Sequence, residues 1–176
     1  MLSKAVFLDR DGTLILDQGY LCDPDRITLI EGVIPALTRI QQAGFLLGVV
    51  TNQSAIGRGL RTAMQVEEMN ARLRAMFARH GIEIGAACYC PHVPEDGCSC
   101  RKPKPGLLLA AAEILGVDIR QSAMIGDNRS DIEAGEAAGC PVNVLLSPIP
   151  CHGILVAKDM GEAADLVIEK LSRRST

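Results

Sequence analysis

The chain has 176 residues, 48% of them hydrophobic and 22% charged, enough for one domain with a sizeable core and too few for two ordinary ones. Its 18 basic and 21 acidic residues, 3% aromatics and lack of Trp exclude the positive surface and stacking platforms of a nucleic-acid binder. Gly and Pro are spread along the chain and no apolar run approaches the ~20 residues that cross a bilayer, which excludes a disordered, collagen-like or membrane-spanning chain.

The chain opens on Met-Leu-Ser-Lys and enters at once into Ala-Val-Phe-Leu-Asp, with no long apolar stretch or small-residue cleavage site, so a cytoplasmic protein is expected. Residues 5–9, a short apolar run stopped by charge, predict a buried strand. Residues 32–43 carry Val33, Leu37 and Ile40 at helical spacing and are closed by Gly44, which suits the turn after a helix. Residues 45–51 return as a second buried strand. Thr62 and Gln65 form a capping-box pattern, and Val66, Met69, Leu73, Met76 and Phe77 extend the longest helix toward Gly81. Residues 84–89 predict a third strand, 106–115 a helix ended by Gly116, and 122–126 a fourth strand. Ser130 and Glu133 form a second capping-box pattern on a helix ending at Gly139, and 142–146 predict a fifth strand. For 163–171, periodicity does not decide between strand and helix. Buried strands alternating with helices predict an α/β fold in one domain, 1–176: a Rossmann-like three-layer α/β/α sandwich with a mainly parallel sheet.

In such sheets ligands bind beyond the carboxyl ends of the strands. Those ends carry Asp9, Asp11 and Gly12 after the first, Thr51, Asn52, Gln53 and Ser54 after the second, and Asp127 and Asn128 after the fourth. An Asp-x-Asp at a strand end is commonly only a solvated turn. Here a third carboxylate arrives from another strand, and three such groups repel unless a divalent cation neutralises them. Hard oxygen ligands favour Mg²⁺, which also accepts phosphate oxygens. Arg101 and Lys102 precede a predicted helix, where they can meet a phosphate, while Lys104 reads as a solvated lysine.

A reducing cytosol would not maintain seven cysteines as a disulfide framework, and only their clustering asks for chemistry. Cys90-x-His92 and Cys98-x-Cys100 flank Pro94-Glu95-Asp96-Gly97, which can reverse the chain and join the two pairs into the Cys₃His set that Zn²⁺ accepts. Four protein ligands leave no position for water, so a structural zinc ordering loop 88–102 is expected. Cys88 is an alternative ligand on the same strand face. Cys22, Cys140 and Cys151 read as packed thiols, and His80 and His152 receive no role.

Phe7-Leu8-Asp9-Arg10-Asp11-Gly12-Thr13-Leu14, Val50-Thr51-Asn52, Lys102-Pro103-Lys104-Pro105 and Ile125-Gly126-Asp127-Asn128-Arg129-Ser130-Asp131 resemble, in order, the motifs of the haloacid-dehalogenase superfamily of phosphatases. The zinc loop and Thr-Asn-Gln-Ser are similar to its heptose bisphosphate phosphatase and histidinol-phosphatase subgroup. The resemblance implies Asp9 as a nucleophile forming an aspartyl-phosphate, and Asp11 as general acid and then base. Thr51 and Lys102 would hold the phosphoryl group. Mg²⁺ would lie on the carboxylates of Asp9 and Asp127 and the carbonyl of Asp11, supported by Asp131. The stretch between the first motif and the first helix leaves no room for a large cap domain, so selectivity would fall to Asp17, Gln18, Gly19, Tyr20, Asn52, Gln53, Ser54, Arg58, Arg101 and Asn128. Asn128 stands where the subgroup often has lysine. The implied substrate is a small phosphorylated sugar, a heptose 1,7-bisphosphate losing its 7-phosphate in nucleotide-activated heptose biosynthesis, on a monomeric enzyme with no nucleic-acid or membrane partner. Histidinol phosphate or a broader range of sugar phosphates is the alternative. From other classes, a phosphate-accepting signalling domain or a non-catalytic zinc-stabilised module would use the same pocket without turnover.

Overall fold

A computed structural model describes residues 3–19 and 23–173. The elements run β1 (Lys4–Leu8), α1 (Val33–Gln42), β2 (Phe45–Asn52), α2 (Ala63–Ala78), β3 (Ile84–Cys90), α3 (Gly106–Leu115), β4 (Ala123–Gly126), α4 (Arg129–Ala138), β5 (Val142–Leu146), β6 (Leu155–Ala157) and α5 (Met160–Ser172). The strands form one parallel sheet in the order β3-β2-β1-β4-β5-β6. The chain winds outward from β1 to β3, then restarts on the other side of β1 with β4. That reversal leaves a crevice between the carboxyl ends of β1 and β4, where ligands bind in open α/β sheets.

Alternation along β1 builds both layers. Val6 and Leu8 join α1, α2 and α5 in one apolar cluster, and Ala5 and Phe7 join α3 and α4 in the other. With helices covering both faces, the central strands are apolar on both sides, as the continuous runs in the sequence require.

The predicted strands and helices form, with ends shifted by a few residues; one cap and one strand differ, and one open segment is decided. The capping box of α4 is Asn128 with Asp131, two residues earlier than expected: Asn128 Oδ1 accepts from Ser130 N at 3.1 Å and Asp131 Oδ2 from Asn128 N at 3.0 Å. Asp131 is held beside Lys102, and its second oxygen is thereby placed to take the cap that Glu133 would have made. Residues 163–171 are helical, inside α5, whose start at the Asp159 cap brings Met160, Ala163, Ala164, Val167 and Leu171 onto one buried face. Strand β6 was not expected. It has three residues and exists through its pairing with β5. No described helix is long and apolar enough to cross a membrane.

Candidate active site

The carboxyl ends of β1, β2 and β4 converge as expected. Lys102 is buried, 3% exposed, and its Nζ donates to Asp9 Oδ1 and Asp131 Oδ1, both at 2.6 Å, and to the carbonyl of Val50 at 2.8 Å. Carboxylate oxygens of Asp9, Asp127 and Asp131 lie within 4.8 Å of one another. Three carboxylates thus share one cation, an imbalance that a divalent cation bound by hard oxygens would correct. Burial opposes the charge on Lys102, but Asp9 and Asp131 outweigh it and raise its pKa. Burial pushes Asp9 up to about 7, against the pull of Lys102 and with the help of Asp131. Asp127, open to solvent on one side and crowded on the other, is raised by desolvation and then by Asp131. Thr13 Oγ1 lies 3.3 Å from Asp127 Oδ1. Gly12 has φ +83°, and a Cβ there would overlap the Asp127 carboxylate, so β1 can turn this close to β4 only without a side chain.

Asp11 turns its carboxylate away from that cluster, so among the described carboxylates it is Asp131, and not the side chain of Asp11, that completes the group. Oδ2 of Asp11 accepts from Gln53 Nε2 at 2.8 Å and from Thr51 Oγ1 at 3.4 Å. Arg10 Nη2 contacts both its oxygens at 3.0 and 3.3 Å, and Arg10 Nη1 is anchored on Asn70 Oδ1 at 3.0 Å. Asn70 was not singled out from the sequence, and Arg10 stood there only among the polar residues at the end of the first strand, without a role. A cation set between two aspartates was the available signal, but alternation on a strand places it on the opposite face, and only the turn after β1 brings it round.

Asn52 and Asn128 spend much of their hydrogen-bonding capacity on the backbone. Asn52 Nδ2 donates to the Lys102 carbonyl and its Oδ1 accepts from Lys102 N, both at 3.1 Å, which fixes Lys102 to the end of β2. Asn128 caps α4. Two cavities of about 490 and 430 Å³ adjoin the cluster and share Asp11, Asp17 and Asn52. Arg101 and Asn128 line the first, Gly19, Gln53 and Ser54 the second. Gln18 and Arg58 are exposed and line neither. Tyr20 and Cys22 lie outside the described residues.

At the end of β3, Cys90, His92, Cys98 and Cys100 gather their ligand atoms within 4.8 Å. Contacts among the sulfurs and His92 Nδ1 run from 3.3 to 3.6 Å. A tetrahedral zinc with Zn–S bonds of about 2.3 Å has S···S edges of about 3.8 Å and S···N edges of about 3.5 Å, so the cluster fits that ion. Cys88 is outside it. The intervening reversal is a short 3₁₀ turn, Pro94–Asp96, closed by Gly97 in the left-handed region at φ 62°. Burial raises Cys90 to about 12, whereas Cys98, against desolvation, is lowered to about 7 by the N–H of Arg101 and by neighbouring thiols. Lys104 is exposed, as a solvated lysine should be, and its Nζ also donates to the carbonyls of Gly97 and Cys98 at 2.6 and 2.7 Å, strapping the loop. Arg101 Nη1 donates to the His92 carbonyl at 3.3 Å. Gln53 N and Gly57 N bond the carbonyls of Cys90 and Pro91 at 2.7 and 2.9 Å, joining the loop to the segment after β2.

The family model described as haloacid dehalogenase-like hydrolase matches residues 16–139. A D-glycero-beta-D-manno-heptose-1,7-bisphosphate 7-phosphatase of Pseudomonas aeruginosa is 39% identical, over 96% of this chain and 100% of the relative. The enzyme of the same name from Vibrio cholerae is 41% identical, over 83% of this chain and 82% of its own length. The crystal structure of a D,D-heptose 1,7-bisphosphate phosphatase from B. bronchiseptica, complexed with magnesium and phosphate, superposes with a TM-score of 0.81 at 30% identity, covering 95% of this chain and 99% of that one.

Proposed function

The chain belongs to the haloacid dehalogenase-like hydrolases, and from that premise we propose that it is a magnesium-dependent phosphomonoesterase removing the 7-phosphate of D-glycero-D-manno-heptose 1,7-bisphosphate. The observation that carries the reading is the buried Asp9–Lys102–Asp131 group beside a separately held Asp11, joined to close similarity to named heptose bisphosphate phosphatases over nearly the whole chain. The names of both relatives specify the β anomer, which is the first to test.

In this reading Lys102 pins one oxygen of Asp9, and the other attacks phosphorus in line, giving an aspartyl-phosphate. Asp11 protonates the departing sugar oxygen and then takes a proton from the water that hydrolyses the intermediate. Thr51 and Lys102 hold phosphoryl oxygens as charge develops. Asp9 and Asp127, with the backbone carbonyl of Asp11, would hold the Mg²⁺, which would supply positive charge against those oxygens. Asp131, with one oxygen on Lys102 and the other on Asn128 N, braces the lysine instead. Cys90, His92, Cys98 and Cys100 would hold a Zn²⁺ with no open position, so it ties the loop that carries Arg101 and Lys102 and takes no part in chemistry. Arg101 lines the main cavity and is the planar donor suited to the phosphate that remains. Asp17, Gly19 and Ser54, which line the second cavity, meet the sugar, while the Gln53 amide is taken up by Asp11, Thr51 and a buried arginine, Arg61.

The enzyme is a cytoplasmic monomer of one domain, 1–176, with its zinc loop at 88–102 and no nucleic-acid partner. The deciding experiment compares kcat/KM for the two anomers of the heptose bisphosphate, histidinol phosphate and simple sugar monophosphates, with ³¹P NMR showing which phosphate leaves. The heptose bisphosphate is expected to lead and to keep its 1-phosphate. A higher efficiency on histidinol phosphate transfers the assignment to that substrate. Stable phosphorylation without turnover makes the protein a phosphate-accepting domain.

A further inference from the structure

Arg61 is a buried cation that the chemistry above leaves unused. It immediately precedes the Thr62 cap of α2 and is 7% exposed, yet no described carboxylate lies within ion-pair distance of it. Burying a guanidinium without a counter-charge is costly, so its partners have to account for it. Nη1 donates to Gln53 Oε1 at 3.0 Å, Nη2 to the Gly19 carbonyl at 3.3 Å, and Nε has no partner among the described residues. Gln53 is itself buried, and its Nε2 donates to Asp11 Oδ2 at 2.8 Å and to Thr51 Oγ1 at 2.9 Å.

The two ends of a primary amide are nearly the same size, and only their partners decide which one faces a carboxylate. Turned over, Gln53 would set its oxygen against Asp11, acceptor against acceptor. A guanidinium has donors and no acceptor, so Arg61 admits one orientation of the amide: oxygen inward, N–H toward the acid. Arg10 supplies charge to Asp11 from one side. Gln53 supplies direction from the other.

We propose that Arg61 is a positioning residue for the general acid, holding Gln53 amide-first so that Asp11 presents its carboxyl to the leaving oxygen. The proposal rests on the assignment of Asp11 as the acid. Through the Gly19 carbonyl the same guanidinium also braces the 17–19 segment beside the second cavity, so the acid and the sugar-facing loop share one support.

The test uses the pre-steady-state burst, which isolates transfer to Asp9 from hydrolysis of the intermediate. Two substrates are compared: the heptose bisphosphate, whose alkoxide needs a proton to leave, and p-nitrophenyl phosphate, whose phenolate does not. Arg61→Met is expected to slow the burst about tenfold or more on the sugar phosphate and less than about twofold on the aryl ester. Gln53→Leu should do the same, and the double variant should lose no more than Gln53→Leu alone, because the two residues act in series. Gln53→Glu gives Arg61 a carboxylate partner inside the fold while setting a like charge against Asp11, so a folded protein with the same selective loss is expected even if Arg61→Met misfolds. Equal losses on both substrates for Arg61→Met or Gln53→Glu, or additive losses in the double variant, overturn the proposal. Asp11→Asn, run in parallel, separates the two levels. If it too slows both substrates alike, the acid assignment fails; if it is selective and the Arg61 and Gln53 variants are not, only the positioning role fails.

Discussion

The carboxylate group between β1 and β4 and the cysteine loop at the end of β3 each gather metal-ligand side chains within 4.8 Å, but they are assembled in opposite ways. The thiol and imidazole ligands come from eleven consecutive residues, 90–100, and a 3₁₀ turn with one left-handed glycine brings them together. Asp9 and Asp127 are 118 positions apart, and nothing local joins them: the crevice exists because β4 returns beside β1. The first group is set by chain reversal and the second by strand order. The two meet at Lys102, two residues after the last cysteine, whose ammonium lies between Asp9 and Asp131. A local motif thus delivers the cation of a non-local site.

The largest way to probe this division is to disable one side alone. Asp9→Asn should reduce turnover by more than about a thousandfold, since an amide of the same shape is no nucleophile, while zinc content per chain by elemental analysis stays at one. Substantial phosphate release from a purified variant would break the assignment, and loss of zinc would break the claimed independence of the loop.

A second effect belongs to the carboxylates. With Asp9 raised to about 7, the metal-free site holds a proton below that pH and releases it above. Mg²⁺ has to displace the proton, so its affinity should fall as pH falls, by about tenfold from pH 8 to pH 6 for one competing proton. Calorimetric Mg²⁺ titrations at the two pH values check this; Asp9→Asn should flatten the dependence.

The cysteine loop should act on catalysis only through Lys102 and Arg101. Cys98→Ser is expected to lower zinc occupancy and to cost about three- to tenfold in kcat/KM, with Asp9 still phosphorylated. Activity lost in full would make the loop part of the chemistry. The smallest effect is expected at Lys104→Met. Removing the strap across Gly97 and Cys98 should cost no more than about 1 kcal/mol, as befits exposed hydrogen bonds, and should show chiefly as faster zinc release to a chelator.

What was legible in the chain follows the same division. Asp9, Asp127, Lys102 and the four zinc-loop ligands stood out because a strand-ending Asp-x-Asp, a Gly-Asp after an apolar run and two short Cys/His pairs are local patterns. Strand β6 did not, because three residues carry no period and it forms only where it pairs with β5 and packs Leu155 and Ala157 on the core. The cap of α4 was placed two residues late because Asp131, which completes it, is held there by a lysine from a different loop.

The alternation of apolar runs and helical stripes was enough to define a parallel α/β sheet with its ligands at one edge, since burial on both faces demands continuous hydrophobicity and helices on each side. The tertiary structure alone decided how the polar groups at that edge divide: Asp131 joins Asp9 and Asp127, Asp11 turns to Arg10 and Gln53, and Arg61 is buried behind the glutamine. No spacing announces such partners, because a buried charge finds its place by the dipoles and counter-charges that distant segments bring to it.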